Sequence, residues 1–209
     1  MKILLVDDHA IVRKGIAQLL ASAKAEVDEA SSCPEALARV ARKDYDIVLL
    51  DISMPGINGL ETLKLLRHDR PKLPVLILTM YPEEQYAIRA MKSGASGYLT
   101  KGCNPKELHA AIGKIIKGGK YVSATLLEIF TEELTKDFTN GKAHLDHLSD
   151  REYQIARFIA NGKTVGQIAG EINLSVNTIS TYRMRVLTKL SMKTNAELTA
   201  YMIREGLID

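Results

Sequence analysis

The sequence predicts a parallel, doubly wound α/β domain with a five-stranded sheet, followed by a smaller all-α domain of four helices. Two observations support this prediction. Five short apolar runs alternate with five amphipathic segments in the first 118 residues, and no strand-like run follows residue 148. Parallel strands need crossover connections, which helices usually provide, so the alternation indicates a parallel sheet.

The elements of the first domain are predicted from hydrophobic periodicity. The strands are expected at Lys2–Val6, Ala25–Ala30, Ile47–Leu50, Val75–Leu78 and Gly97–Leu99. The helices are expected at Ala10–Ala21, Pro34–Arg42, Gly59–His68, Glu83–Lys92 and Pro105–Lys117. The prolines at 34 and 105 suit the first turn of a helix, where their missing NH group costs nothing.

The character of the chain changes after Gly118-Gly119. Residues 124–134 are apolar at helical spacing, and residues 136–147 are polar, as expected of a tether. Ser149 and Glu152 have the spacing of a capping box, and helical patterns cover residues 150–160, 164–171, 176–190 and 195–205. We therefore predict a first domain over residues 1–118, a helical linker and tether over 119–146, and a second domain over 147–209.

Composition argues against several classes of protein. The net charge is +3, with 18 basic and 14 acidic residues in 1–120 and 8 and 7 in 146–209, so bulk charge does not indicate a nucleic-acid partner. No apolar run is long enough to cross a bilayer, and the first one meets Asp7-Asp8 too early for a signal peptide. Cys33 and Cys103 show neither zinc-ligand spacing nor a disulfide framework. We expect a cytoplasmic protein with no membrane partner.

The residues that end the predicted central strands are chemically distinctive. They are Asp7 and Asp8, Asp51, Thr79, and Thr100 with Lys101. In a doubly wound sheet the carboxyl ends of the strands form the ligand crevice, so these side chains are expected to converge. A single aspartate at a strand end is usually a turn residue. Reactive or charged side chains at the ends of four strands together indicate a functional site.

The chemistry of this set favours phosphoryl transfer. Clustered carboxylates repel one another, and Mg²⁺ is a natural neutralising ion because it prefers oxygen ligands. A shielded carboxylate can attack phosphorus and form an acyl phosphate, while Lys101 can neutralise phosphoryl charge and Thr79 can donate a hydrogen bond. We predict that Asp51 is the phosphorylated residue, and we assign no catalytic role to His9.

The second domain contains a helix-turn-helix pattern. A short turn at residues 173–175 separates two predicted helices, and Ser175 is a good N-cap for the second. No acidic residue occurs from Ile172 to Ala196, whereas four basic residues do. On a helical wheel Ile179, Val186, Leu187 and Leu190 form an apolar stripe, and Asn177, Thr181, Met184 and Thr188 lie opposite, with Arg185 beside them. Such a small, polar and cationic face suits the DNA major groove.

About the first 118 residues resemble the receiver domain of two-component response regulators, whose fold is flavodoxin-like. The motifs that carry the resemblance are Ile3–His9, Asp51 with Met54-Pro55 and Asn58-Gly59, Leu78-Thr79, and Gly94–Lys101. The resemblance implies that Asp51 is the phosphoacceptor. It also implies that Asp8, Asp51 and the Ser53 carbonyl bind Mg²⁺, with Asp7 assisting through water, and that Thr79, Tyr98 and Lys101 are the switch and phosphate-binding residues.

Residues 146–208 resemble the LuxR-type module of NarL/FixJ regulators. The resemblance is carried by Leu148–Glu152, Ile159–Gly162, Ile168-Ala169, Leu174-Ser175, Thr178–Arg183 and Lys189-Leu190. The predicted DNA-binding residues are Ser175, Asn177, Thr178, Thr181, Tyr182, Arg183, Arg185 and Lys189. Base reading is expected from Asn177, Thr181 and Arg185, whereas phosphate contact or ion pairing is expected from Arg183.

Together the two resemblances imply a phosphorylation-dependent transcriptional regulator. Its partners would be a sensor histidine kinase, double-stranded promoter DNA and a second copy of the chain on DNA, with RNA polymerase as a further candidate. The last helix, Asn195–Glu205, is a candidate dimer surface. We expect no enzymatic turnover beyond autocatalytic phosphoryl transfer and autodephosphorylation.

Two alternatives remain open from the sequence. A phosphatase of the haloacid-dehalogenase type also uses an aspartate nucleophile, but its second aspartate two positions later is Ser53 here. The other alternative is a constitutive DNA-binding regulator that uses its receiver only as a dimerisation scaffold.

Overall fold

The computed structural model describes residues 1–21, 25–136, 145 and 147–208. It divides into two compact units, Met1–Phe130 and Thr131–Asp209, so the division falls inside the predicted linker. Nearly all of the predicted tether, residues 136–147, lies outside the described residues. The predicted domain boundaries therefore stay predictions.

The first unit contains a five-stranded parallel sheet. The strands are β1 (Lys2–Val6), β2 (Glu26–Ala30), β3 (Ile47–Leu50), β4 (Val75–Thr79) and β5 (Gly97–Thr100), in the order β2-β1-β3-β4-β5. Every residue of β3 and β4 is buried. This explains why those strands are continuous aliphatic runs without alternation, as is usual for parallel strands covered on both faces.

Five helices alternate with these strands. They are α1 (Ala10–Ala21), α2 (Cys33–Arg42), α3 (Gly59–Asp69), α4 (Glu83–Lys92) and α5 (Pro105–Ile116). The predicted fold class is confirmed, with differences of one or two residues at element ends. β4 and β5 each extend one residue further than predicted because Thr79 pairs with Thr100 in the ladder. The residue pattern of one strand does not predict which residues of its neighbour it pairs with.

After α5, the described part of the chain contains α6 (Ala124–Lys136), α7 (Asp150–Ala160), α8 (Val165–Glu171), α9 (Val176–Lys189) and α10 (Asn195–Arg204). The predicted capping box at the start of α7 is confirmed, since Ser149 and Glu152 each accept from the other's backbone NH. Within the described ranges, no helix has the length and apolar character needed to span a membrane.

Candidate functional sites

The carboxyl ends of β1 and β3 bring two aspartates together. Val6 lies opposite Leu50 in the parallel register, so Asp7 and Asp51 leave the sheet at the same edge. The backbone NH of Asp51 extends the ladder by donating to the carbonyl of Val6 at 2.9 Å. Each aspartate is only 1% exposed. Sheet register therefore places two buried carboxylates side by side.

Lys101 supplies the opposite charge from the loop after β5. Its backbone NH donates to the carbonyl of Thr79 at 2.7 Å, and its Nζ lies 2.5 Å from Oδ2 of Asp51 and 2.8 Å from Oδ2 of Asp7. Burial lowers the pKa of this amine, but the two carboxylates outweigh burial and the net pKa shift is upward. Lys101 is therefore a cation shared by both carboxylates.

The same edge of the sheet has the donor atoms of a cation site. One ligand atom from each of Asp7, Asp8, His9 and Asp51 lies within 4.8 Å of the others. Within the described part of the chain, no well-directed hydrogen bond reaches the buried Oδ1 of Asp8 or Oδ2 of Asp7, although the Nδ1 of His9 lies 2.9 Å from that Asp8 atom. Burial raises the pKa of Asp8, His9 opposes the rise, and Asp51 and Asp7 add to it. Buried, mutually repelling oxygens fit a hard divalent cation.

The start of α3 fixes the loop that follows Asp51. Oδ1 of Asn58 accepts from the backbone NH of Glu61 at 2.9 Å, and Glu61 accepts in return from the NH of Asn58 at 3.3 Å. The NH of Gly59 donates to the carbonyl of Ile52 at 3.0 Å. A methyl group on Gly59 would lie 2.0 Å from the carbonyl oxygen of Asp51. The helix can approach Asp51 this closely only because residue 59 has no side chain.

Thr79 and Tyr98 lie on the neighbouring strands β4 and β5. Oγ1 of Thr79 is buried and has no hydrogen-bond partner among the residues that the structure describes. Tyr98 is fully buried, and its hydroxyl donates to the carbonyl of Tyr81 at 2.9 Å, with the carbonyl of Pro82 at 3.4 Å. Tyr98 therefore occupies an inward position and is bonded to the backbone that leads into α4.

In the second unit, a tight turn joins α8 to α9. Asn173 has a φ of 51°, a left-handed conformation that asparagine tolerates better than most residues. The NH of Leu174 donates to the carbonyl of Ala169 at 3.0 Å. Oγ of Ser175 accepts from the NH of Thr178 at 3.1 Å, which confirms the predicted N-cap. The two helices and this turn form the predicted helix-turn-helix.

The two faces of α9 differ as the helical wheel predicts. Ile179, Val186, Leu187 and Leu190 are buried. Asn177, Thr181, Met184, Arg185 and Thr188 are exposed. The apolar stripe fixes the helix to its unit, so the opposite face is available for a partner.

The cations of α9 are engaged differently. Nε of Arg183 donates to Oδ1 of Asn195 at 2.6 Å. Nζ of Lys189 donates to Oε2 of the buried Glu152 at 2.7 Å and to the carbonyl of His147 at 3.1 Å. Arg185 is exposed, and its guanidinium carbon lies 5.8 Å from the centre of the Tyr182 ring. Arg183 and Lys189 thus make contacts within the domain, and their predicted roles on DNA stay predictions.

Comparison with known proteins identifies both units. Residues 3–113 match the family model for the response regulator receiver domain, and residues 146–202 match the model for bacterial regulatory proteins of the luxR family. The chain belongs to the response regulators. This assignment confirms the predicted family: a two-component response regulator with a receiver and a LuxR-type DNA-binding domain.

Relatives of this response regulator match over its whole length. It is 36% identical over 214 residues to the response regulator GacA of Pseudomonas aeruginosa, across 100% of this chain and 98% of that protein. It is 35% identical over 215 residues to the response regulator UvrY of Escherichia coli, across 99% and 95%. A structure of RcsB from Salmonella enterica serovar Typhimurium, bound to promoter rprA in the presence of the phosphomimetic BeF3⁻, matches with a TM-score of 0.64 at 25% identity, covering 97% and 98%.

Sequence reasoning missed two contacts that fasten the start of the linker to the receiver of this response regulator. The hydroxyl of Tyr121 donates to Glu107 of α5 at 2.9 Å. Oγ of Ser123 donates to Oε2 of Glu83 in α4 at 2.5 Å, and it accepts from the NH of Leu126 at 2.9 Å. A serine before an apolar helix is typical of an N-cap, so the bond to Leu126 could have been predicted. No sequence pattern predicts that Ser123 also bonds to Glu83, which lies 40 residues earlier in the chain.

Proposed function

We propose that Asp51 accepts a phosphoryl group from a sensor histidine kinase, and that phosphorylation controls how the C-terminal domain binds promoter DNA. The observation that supports this most directly is the contact between Lys101 and Asp51 at 2.5 Å, inside a cluster of three aspartates. A buried carboxylate with an adjacent cation can act as a nucleophile toward phosphorus and then have its product neutralised.

The transfer follows from the position of each group. A carboxylate oxygen of Asp51 attacks the phosphorus of the phosphohistidine, a P–O bond forms, and the P–N bond breaks with its electron pair left on the histidine nitrogen. Lys101 offsets the charge of the transferred group. Thr79, whose buried Oγ1 lacks a partner among the described residues, donates to a phosphoryl oxygen. Tyr98 packs inward behind Thr79 in the phosphorylated form. Apart from this phosphoryl transfer, the protein catalyses only its own dephosphorylation.

We assign the Mg²⁺ ligands to Asp8, Asp51 and the backbone carbonyl of Ser53, with Asp7 acting through water. The convergence of carboxylate oxygens from Asp7, Asp8 and Asp51 within 4.8 Å of one another supports this assignment. When bound, Mg²⁺ offsets the repulsion between the carboxylates and the incoming phosphoryl oxygens. The backbone NH of Ser53 donates to Oδ1 of Asp51 at 3.2 Å, which holds the carboxylate in place from the same loop.

The proposed DNA contacts lie on α9 and its N-cap. Asn177, Thr181 and Arg185 read bases, and their exposure on one face supports this role. The remaining contacts, chiefly to phosphates, are assigned to Ser175, Thr178, Tyr182, Arg183 and Lys189. Two copies bind half-sites about one helical turn apart, with α10 as the dimer surface. The protein acts in the cytoplasm, and RNA polymerase is a further proposed partner.

One experiment tests both halves of the proposal. The full-length protein is incubated with acetyl phosphate and Mg²⁺, its intact mass is measured, and its affinity for duplexes selected from a random pool is determined in parallel. Wild type should gain one phosphoryl group and bind the selected duplexes more tightly, whereas Asp51→Asn should do neither. Phosphorylation of Asp51→Asn to the wild-type extent would refute the assignment of Asp51.

A second candidate function is a constitutive DNA-binding regulator that uses its receiver as a scaffold. In this candidate the bond from the Tyr98 hydroxyl to the carbonyl of Tyr81 is a fixed part of the receiver and does not depend on phosphorylation. If this candidate is correct, Asp51→Asn will bind the selected duplexes as tightly as phosphorylated wild type.

A further inference from the structure

Met184 is an exposed apolar side chain on the face of α9 that is proposed to contact DNA. It is 65% exposed, while its neighbours on that face, Asn177, Thr181, Arg185 and Thr188, are polar. The helix already has a complete buried stripe on its other side, so packing does not require Met184. A single exposed hydrophobic residue is ordinary on a protein surface, and its meaning here depends on what surrounds it.

The surroundings of Met184 form an open groove. The groove has a volume of about 600 Å³ and is lined by Glu152, Thr181, Met184, Arg185, Thr188 and Lys189. Its one carboxylate, Glu152, is paired with Lys189 at 2.7 Å, so it does not oppose a polyanion. A long thioether side chain beside an exposed guanidinium can therefore enter a DNA groove together with Arg185.

We propose that Met184 is a specificity-determining residue that reads the methyl group of thymine in the major groove. Thymine is the one base that presents an apolar group there. A flexible, polarisable methionine can pack against that methyl group without needing a fixed rotamer. The proposal rests on the proposed DNA-binding function and adds a base preference that Arg185 and Asn177 do not supply, since their donors and acceptors suit guanine and adenine.

Thr181 is the competing source of methyl recognition. Its hydroxyl donates to the backbone carbonyl of Asn177 at 2.9 Å, so its methyl group is a second apolar group on the same face. A test must therefore separate Met184 from Thr181. Thr181→Ser provides the matched control because it removes the methyl group and keeps the hydroxyl.

The experiment uses full-length protein and a duplex selected from a random pool. Each thymine of the duplex is replaced in turn by uracil, which lacks only the methyl group. Wild type should lose affinity about fourfold at one thymine per half-site, the factor expected for one buried methyl-sized group. Met184→Ala should bind the thymine duplex more weakly by a similar factor and no longer distinguish thymine from uracil there, whereas Thr181→Ser should keep the distinction. Met184→Lys should shift the preference at that position toward guanine.

The outcomes separate this proposal from the function on which it rests. If Met184→Ala still distinguishes thymine from uracil, or Thr181→Ser alone loses the distinction, the role of Met184 is refuted and DNA binding stands. If wild type selects duplexes but no thymine-to-uracil change alters its affinity, the same conclusion holds. If wild type selects no sequence from the pool, the proposed function fails and the role of Met184 fails with it.

Discussion

Lys101 and Asp51 are joined by an ion pair of 2.5 Å between side chains that are 5% and 1% exposed. The lysine comes from the loop after β5 and the aspartate from the end of β3, 50 residues apart in the chain. Removing one partner of a buried ion pair is costly because the other charge stays buried. The pair therefore makes the stability of the receiver depend on the charge balance of this one pocket.

Lys101→Met should destabilise the receiver by about 3 kcal/mol, because it leaves Asp7 and Asp51 buried without the cation they share. Since a divalent cation would replace part of the lost positive charge, Mg²⁺ should raise the Tm of this variant more than that of wild type. The measurement is thermal unfolding with and without MgCl₂, with the exposed Lys106→Met as control. Equal Mg²⁺-dependent shifts in Lys101→Met and wild type would contradict the shared-charge account.

Gly59→Ala should cost about 1–3 kcal/mol, the range for overpacking, because its methyl group would lie 2.0 Å from the carbonyl oxygen of Asp51. The backbone must shift to relieve this clash, so phosphorylation by acetyl phosphate should also slow. Gly113→Ala is the matched control. Gly113 lies inside α5 with no atom within 4 Å of the added methyl group, and the change should stabilise the helix by about 1 kcal/mol. If both variants gain stability, the close approach at Gly59 is not a constraint.

Glu83→Gln should stabilise the receiver at neutral pH. Burial raises the pKa of Glu83, the hydrogen bond from Ser123 opposes the rise, and Glu84 and Glu107 add to it. Because the pKa of Glu83 is higher in the folded state, the protonated side chain contributes fully to stability at pH values below its ordinary pKa of 4.5. This contribution is lost as the pH rises through the folded-state pKa. Glutamine keeps an acceptor for Ser123 without the buried charge.

The measurement is urea unfolding of wild type and Glu83→Gln across a pH series. The difference in free energy of unfolding should be largest near neutral pH and should shrink toward pH values below 4.5. Glu84→Gln, an exposed neighbour with the same loss of charge, is the control. Because Glu84 raises the pKa of Glu83 less than burial does, its removal should change the pH dependence less than Glu83→Gln does. A difference that grows as pH falls would show that the sign is wrong.

Lys189→Met should destabilise the DNA-binding domain by about 1 kcal/mol, a value reduced for the partial exposure of the lysine. Burial raises the pKa of Glu152, but the hydrogen bonds from Lys189 and Ser149 together lower it by more, so the net pKa shift is downward. This contribution to stability is present above the ordinary value of 4.5 and is lost as pH falls through the lower folded-state pKa. The destabilisation should therefore fade in acid, which thermal unfolding at several pH values measures.

The same variant tests the proposed contact of Lys189 with DNA phosphate. If the lysine also neutralises a DNA phosphate, Lys189→Met should reduce the slope of log affinity against log salt by about 1. Lys193→Met, a lysine beyond the end of α9, controls for the general loss of positive charge. An unchanged slope would show that Lys189 makes only its contacts within the domain, to Glu152 and to the carbonyl of His147.

The order and type of the elements could be predicted because each is encoded by a local pattern. Alternating apolar runs and amphipathic segments indicated the parallel sheet, and Ser149 and Ser175 marked helix starts through short-range capping. The position of Asp51 at the end of β3 was predictable for the same reason, since a carboxylate directly after a buried aliphatic run marks the end of a strand. The exposed face of α9 followed from helical periodicity alone.

Tertiary structure decided which of these groups meet and how closely. The 2.5 Å contact of Lys101 with Asp51, the approach of Gly59 to the backbone of Asp51, and the bond from Ser123 to Glu83 all join residues from different elements. The contact of Lys189 with Glu152 likewise joins α9 to α7, and helical periodicity does not predict it. Periodicity specifies the face on which a side chain lies, whereas its partner depends on strand register and helix packing, which arise only when the whole chain is folded.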